Sequence, residues 1–138
     1  MQRYENLTRE GVKKLAARLA KKYSEQDVVI GLVGQLGAGK TTFVKDFAQN
    51  FGIKKIKSPT FIIGSVYKIK TGQLYHYDFY RLNNKQQLRT LGFDEIINSQ
   101  RRIVLIEWVD KFPKIATSCD LIISFEISGK NLRNVTIR

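Results

Sequence analysis

Cysteine occurs once in these 138 residues, proline twice, histidine once and tryptophan once, and twelve acidic residues face twenty-four basic ones. Each scarcity excludes something. A lone Cys119 rules out an intrachain disulfide; placed before the apolar run Leu121-Ile122-Ile123, it reads as a small buried or half-buried filler rather than a reactive thiol. His76 as sole histidine argues against a histidine-built metal site or Ser-His catalysis, and leaves a structural hydrogen bond as its expected role. No apolar stretch approaches the length that spans a bilayer, and Met1 to Asn6 lack the apolar core of a secretion signal. The expectation is a soluble cytoplasmic protein with no membrane partner. At 138 residues one domain, 1–138, is expected, with room for a single core but not for an added substrate lid.

The shortage of acids leaves a net charge of +12. Such a balance raises encounter rates with anionic macromolecules and suits a polyanionic nucleotide, without saying which anion is bound.

What is present is a glycine-rich loop. Gly34-Gln35-Leu36-Gly37-Ala38-Gly39-Lys40-Thr41-Thr42 matches G-x-x-x-x-G-K-[ST] and follows the apolar run Val28-Val29-Ile30-Gly31-Leu32-Val33. Glycines let backbone N–H groups of Gln35 to Thr42 wrap a phosphate where a Cβ would obstruct them. Lys40 supplies charge to the β and γ phosphates, and the Thr41 hydroxyl is placed to ligate Mg²⁺. Both open a helix, whose positive end favours the anion. The base-specifying Asn-Lys-x-Asp of guanine binders is missing, since Asn84-Lys85 continues Gln86-Gln87, so ATP is the expected nucleotide.

Around the loop, Thr8 is expected to cap a helix running to about Tyr23. Val12, Leu15, Ala16, Leu19 and Tyr23 form its inner face, and Lys13, Lys14, Arg18, Lys21 and Lys22 its outer one. A first strand is expected at 28–33, and a helix after the loop stopping near Gly52. Strands at 61–67 and 74–79 join through a turn at Thr71-Gly72. In the second of these Tyr75, Tyr77 and Phe79 share a core face, and His76, Asp78 and Tyr80 share the functional one. Short helices at 83–91 and 94–98 break at Gly92. A buried, parallel-type strand Arg102 to Ile106 ends on Glu107, and 121–127 pairs with 132–137 as a terminal hairpin. The sum is an α/β domain of P-loop NTPase type, a mixed sheet with parallel core strands and antiparallel hairpins flanked by helices.

A nucleotide-bound Mg²⁺ wants an acid where an apolar strand ends beside the loop. Asp78 and Glu107 both qualify; either holds the metal, directly or through water, and the other orients the attacking water. Thr60, in Ser58-Pro59-Thr60, is a candidate switch residue for the γ-phosphate. Trp108 has three readings: packing under the nucleotide, an interface anchor and plain core.

These segments together resemble the TsaE family, small bacterial ATPases of tRNA threonylcarbamoyladenosine biosynthesis. The resemblance rests on Gly37-Ala38-Gly39-Lys40-Thr41-Thr42-Phe43, Lys57-Ser58-Pro59-Thr60-Phe61, Tyr75-His76-Tyr77-Asp78-Phe79-Tyr80-Arg81-Leu82, Leu91-Gly92 and Ile106-Glu107-Trp108, in family order over roughly residues 8 to 110. It implies ATP hydrolysis, weak in the isolated chain and coupled to TsaB and TsaD, which modify adenosine 37 of tRNAs reading codons that begin with A. The ATP cycle would reset that complex, and tRNA would be met through it. The resemblance also implies that Lys40 and Thr41 bind phosphate and Mg²⁺, that Thr60 is switch-like, and that Asp78 and Glu107 are the functional acids, Glu107 being first choice for the metal. Two departures stand out: Gln35 replaces the family's usual Asp, and Val109-Asp110 replace the usual Pro-Glu after Trp108. The alternatives are a nucleotide-gated RNA-binding module, suggested by the charge, and a small-molecule kinase, for which fewer than a hundred residues remain after Lys40.

Overall fold

The run Val28 to Leu32 is apolar at every position because the strand it forms is covered on both faces. In the computed structural model, which describes residues 1–56 and 63–138, this strand is the second of seven. They are β1 (Gln2–Leu7), β2 (Val28–Gly34), β3 (Gly64–Ile69), β4 (Gly72–Asp78), β5 (Arg102–Glu107), β6 (Leu121–Gly129) and β7 (Leu132–Ile137). Side by side the order is β1-β7-β6-β2-β5-β4-β3. The four central neighbours β6, β2, β5 and β4 run parallel, while β7, β1 and β3 are antiparallel additions at the two edges. This is the mixed α/β sheet expected from the sequence.

Alternation along the central strands divides the core in two. Val28, Ile30 and Leu32 of β2, Leu74 of β4, and Ile103 and Leu105 of β5 meet α1 (Arg9–Lys22) and α2 (Lys40–Gln49). Val29, Tyr77, Val104 and Ile106 meet the other layer, formed by α3 (Lys85–Thr90), α4 (Phe93–Ile97), a single 3₁₀ turn Val109–Lys111 and α5 (Pro113–Thr117). Phe43 and Phe47 of α2 are wholly buried, and Phe43 meets Phe125 of β6 edge to face, with ring centroids 5.5 Å apart. Burial of each such side chain contributes about 2–3 kcal/mol, which fastens the helix behind the loop to the sheet.

Local signals explain most boundaries. Thr8 caps α1 by accepting from the Gly11 N–H at 3.1 Å, and the six basic residues of that helix are all exposed, Arg9 pairing with Asp46. Asn84 caps α3, accepting from the Gln87 N–H, and Gly92 at φ 70° separates α3 from α4. The helix after the loop ends at Gln49 rather than near Gly52, because Asn50 turns its side-chain amide back onto the Asp46 carbonyl. Expectations for the strand at 61–67 are met from Gly64 onward, with an extension to Ile69; Phe61 and Ile62 lie outside the described residues. Three elements were not expected at all: β1, the 3₁₀ turn and α5. Among the described residues no helix is long and apolar enough to cross a membrane.

Cys119 is half-buried at the entry to β6, where its thiol faces the Ile115 carbonyl. Burial, with Asp120 adding to it, pushes the thiol up to about 11. The thiolate fraction at pH 8 therefore falls about a hundredfold. Iodoacetamide alkylation of the native protein, followed by mass spectrometry, is expected to be slower than that of the urea-unfolded chain by at least that factor. Equal rates would show the thiol to be freely ionising.

Candidate functional site

Parallel strands that end together leave a crevice beyond their carboxyl ends, where α/β proteins bind ligands. Here β2 ends on Gly34, β5 on Glu107 and β4 on Asp78, and Asp78 lies opposite Glu107 in the β4–β5 register. The glycine loop leaves β2 at this edge and returns as α2.

Gly37 and Gly39 take φ of 79° and 111°, a region that side-chained residues rarely adopt. A Cβ added to either would meet nothing within 4 Å. The glycines thus serve backbone shape, and the space beside them is an open concavity at the start of a ten-residue helix. Gln35 and Leu36 are exposed at the tip, Ala38 is fully buried beneath it, and Thr42 is half-buried at the base.

Lys40 is 4% exposed. Its ammonium folds back across the loop, donating to the Gly34 carbonyl and, at 2.9 Å, to that of Gln35. It also lies 4.0 Å from the centroid of the Trp108 ring, a cation–π contact. Desolvation lowers its pKa, with the negative charges of Glu107, Asp110 and Asp78 acting the other way.

Glu107 is 2% exposed, and both its oxygens are engaged. Thr41 donates its hydroxyl to Oε1 at 2.6 Å, and Nε2 of His76 lies 2.6 Å from Oε2. The expected structural hydrogen bond of His76 is therefore made to this acid. Asp78 is half-buried; its Oδ1 accepts the Tyr80 N–H at 3.0 Å. Burial raises the Asp78 pKa, Glu107 adds to the rise, and the Tyr80 N–H bond opposes it. Trp108 sits at φ 59°, donates its N–H to the Leu32 carbonyl, and turns its half-buried ring toward Tyr80 with centroids 5.1 Å apart. Lys40, Thr41, Asp78, Glu107 and Trp108, separate in sequence, line one cleft of about 200 Å³ with Leu36, Gly37 and Tyr80. Thr60, the candidate switch residue, lies outside the described residues.

A second cleft of about 240 Å³ opens on the other flank of the loop, sharing Gly37, Gly39 and Thr42 with the first. Its walls include Val12 of α1, Phe125 of β6, and Asn131 and Arg133 around the β6–β7 turn. Arg133 braces the loop from outside, donating Nε to the Ala38 carbonyl at 2.9 Å and Nη2 to that of Gly37 at 3.4 Å. Sequence reasoning gave Arg133 no role. No local signal marks it, because its position depends on β6 pairing beside β2.

The donor set suits a hard cation carried in by a nucleotide. A hydroxyl and a carboxylate supply oxygens, and no group of three His, Cys, Asp or Glu that could hold a metal unaided occurs among the described residues. Mg²⁺ commonly sits in such places on one or two protein oxygens plus substrate phosphates.

Known proteins resemble this chain over nearly its whole length. The family model for "Threonylcarbamoyl adenosine biosynthesis protein TsaE" matches residues 7–135. The tRNA threonylcarbamoyladenosine biosynthesis protein TsaE of Rickettsia felis is 36% identical over 130 residues, 93% of this chain and 74% of that protein. Its Bacillus subtilis counterpart is 36% identical over 124 residues, covering 89% and 77%. A crystal structure of Bacillus subtilis YdiB superposes with a TM-score of 0.74 at 31% identity, covering 99% of this chain and 83% of that one.

Proposed function

The chain belongs to the TsaE family of tRNA threonylcarbamoyladenosine biosynthesis, and on that premise we propose that it is an ATPase whose turnover depends on partner proteins. The contact that carries the reading is Thr41 Oγ1 to Glu107 Oε1 at 2.6 Å, which joins the hydroxyl beside the loop to a buried acid at the end of β5. An acid that is costly to bury and tied to that hydroxyl is the arrangement a nucleotide-bound Mg²⁺ requires.

The triphosphate would lie along the backbone N–H groups of residues 35–42, and the cleft lined by Val12, Phe125 and Asn131 would take the nucleoside end. Lys40 exchanges its two carbonyl partners for β and γ phosphate oxygens, keeping its charge beside Trp108. Thr41 and Glu107 would hold Mg²⁺, which would offset the charge that develops on the transferring phosphoryl group. Asp78, across from Glu107 and at the cleft mouth, orients the attacking water through its carboxylate.

Among the described residues the cleft is open, with Tyr80 and Leu36 exposed at its rim. Water exclusion is left to another surface, and we assign that surface to TsaB and TsaD, the tRNA being reached through them. The experiment is ATP turnover of the purified chain alone and with both proteins. Stimulation of at least tenfold is expected, with loss of about a hundredfold on Glu107→Ala. Turnover that ignores the partners, and survives the substitution, would sink the reading.

A further inference from the structure

We propose that His76 is a positioning residue that aims the Glu107 carboxylate at the nucleotide-bound metal. The inference rests on Glu107 being the acid that serves that metal.

A carboxylate taken out of water needs both oxygens hydrogen-bonded. Thr41 satisfies Oε1; His76 alone is placed to satisfy Oε2 among the described residues. Since the carboxylate only accepts, the proton of this 2.6 Å bond belongs to Nε2. The other ring nitrogen, Nδ1, is buried and has no hydrogen-bond partner among the described residues. The imidazole therefore directs its bonding to one atom, Oε2. Packing does not ask for a histidine here: its neighbours along the same sheet face, Leu74 and Leu105, are apolar and wholly buried. A leucine or phenylalanine would fill that space at less cost.

Strand register explains how the pair meets. Asp78 stands opposite Glu107, and His76 opposite Leu105, so His76 reaches Glu107 along the diagonal from two residues back on β4. The same alternation puts both His76 and Asp78 on the face that carries α2. Without His76, Oε2 would be left unsatisfied in the core, and rotation about the last side-chain bond would carry Oε1 away from Thr41. With His76 in place Oε1 is held where the hydroxyl, and hence the metal, sits. Partners of metal-ligating groups commonly change metal affinity by about 10- to 100-fold when removed.

The test measures metal affinity, not turnover. Mn²⁺ binding to the full chain, holding one equivalent of a non-hydrolysable ATP analogue, is followed by electron paramagnetic resonance for wild type, His76→Phe, His76→Gln and Glu107→Gln. His76→Phe is expected to weaken Mn²⁺ by about tenfold or more. His76→Gln, whose amide nitrogen can take the place of Nε2, should restore affinity to within about threefold. Binding of the analogue in EDTA should be the same for wild type and both His76 variants. Unchanged Mn²⁺ affinity in His76→Phe, with a loss in Glu107→Gln, overturns the role of His76 while the metal acid stands. No change in either variant overturns both. Should His76→Phe fail to fold, the wild type decides: long-range proton–nitrogen correlations of its single imidazole must show Nε2 protonated, and a bare Nε2 beside a protonated Nδ1 overturns the proposal.

Discussion

Lys40→Ala is expected to lower ATP affinity by about a hundredfold or more and to remove measurable hydrolysis, while leaving the fold intact. The argument starts from where the ammonium is. It is 4% exposed, bonded to two carbonyls of its own loop and set against the Trp108 ring, with Glu107 lining the same cleft. Nothing in the core depends on it: α2 is held by Phe43, Val44, Phe47 and Ala48. Burial also penalises its charge and lowers its pKa, and α2 is fastened by other side chains, so its removal is expected to cost little stability. Phosphate binding is different. The backbone N–H groups and the start of α2 remain in the variant, but the side-chain cation that lines this cleft among the described residues does not. Titration calorimetry with ATP, beside a thermal melt, separates the two effects. Affinity within a few-fold of wild type, at unchanged melting temperature, would remove Lys40 from the phosphate site. Lys40→Arg is not a mild control, because a planar fork cannot occupy the pocket of a compact ammonium beside the indole.

How far the site was legible follows from sequence distance. The loop is local chemistry: glycines at positive φ, a lysine and a threonine at the first turn of a helix, all within nine residues, and its conformation is fixed by its own composition. The end of β5 on Glu107 was legible too, because an unbroken apolar run that stops at an acid is a one-dimensional signal. The bonds that join these parts are not local. Thr41 meets Glu107 across 66 residues, His76 meets it across 31, and Arg133 reaches Ala38 across 95. Those contacts are consequences of register and strand order, which alternation along a single strand cannot encode.

The missed elements fail for a related reason. Gln2–Leu7 buries no residue fully and shows no apolar alternation, since it is an edge strand paired only with β7; its strand state is conferred by that partner. The 3₁₀ turn and α5 are too short for a helical period to register, although Pro113 stands at the first turn of α5 where proline is favoured. Gln35, the departure from the family's usual Asp, is exposed at the loop tip, and the concavity behind it is shaped by main chain at Gly37 and Gly39. The substitution therefore changes charge at the rim without touching the shape of the loop.

Gly72→Ala is expected to destabilise the protein by about 3–5 kcal/mol, lowering the melting temperature by roughly 10 °C or more. Gly72 opens β4 at φ 147°, directly after the turn at Lys70 and Thr71. A Cβ there would lie 2.0 Å from the Arg101 carbonyl oxygen and 2.8 Å from the Arg101 Cβ. The obstacle is backbone, so no rotamer change relieves it. Moving it is costly as well, because the Arg101 carbonyl accepts the Gln73 N–H at 3.0 Å and the adjacent Arg102 N–H is fixed by Asp27 at 2.9 Å. Relief must come from sliding β4 against β5, and a slide misaligns every pair from Gln73–Arg102 to Asp78–Glu107. The strand connecting the turn to the site is short and its far end carries His76 and Asp78. A partly folded Gly72→Ala protein should therefore lose nucleotide affinity along with stability, even though the substitution lies at the opposite end of the sheet from the loop. Denaturant unfolding and ATP titration of the same sample measure both. A variant that melts within about 2 °C of wild type would show that β4 and β5 are not locked in this register.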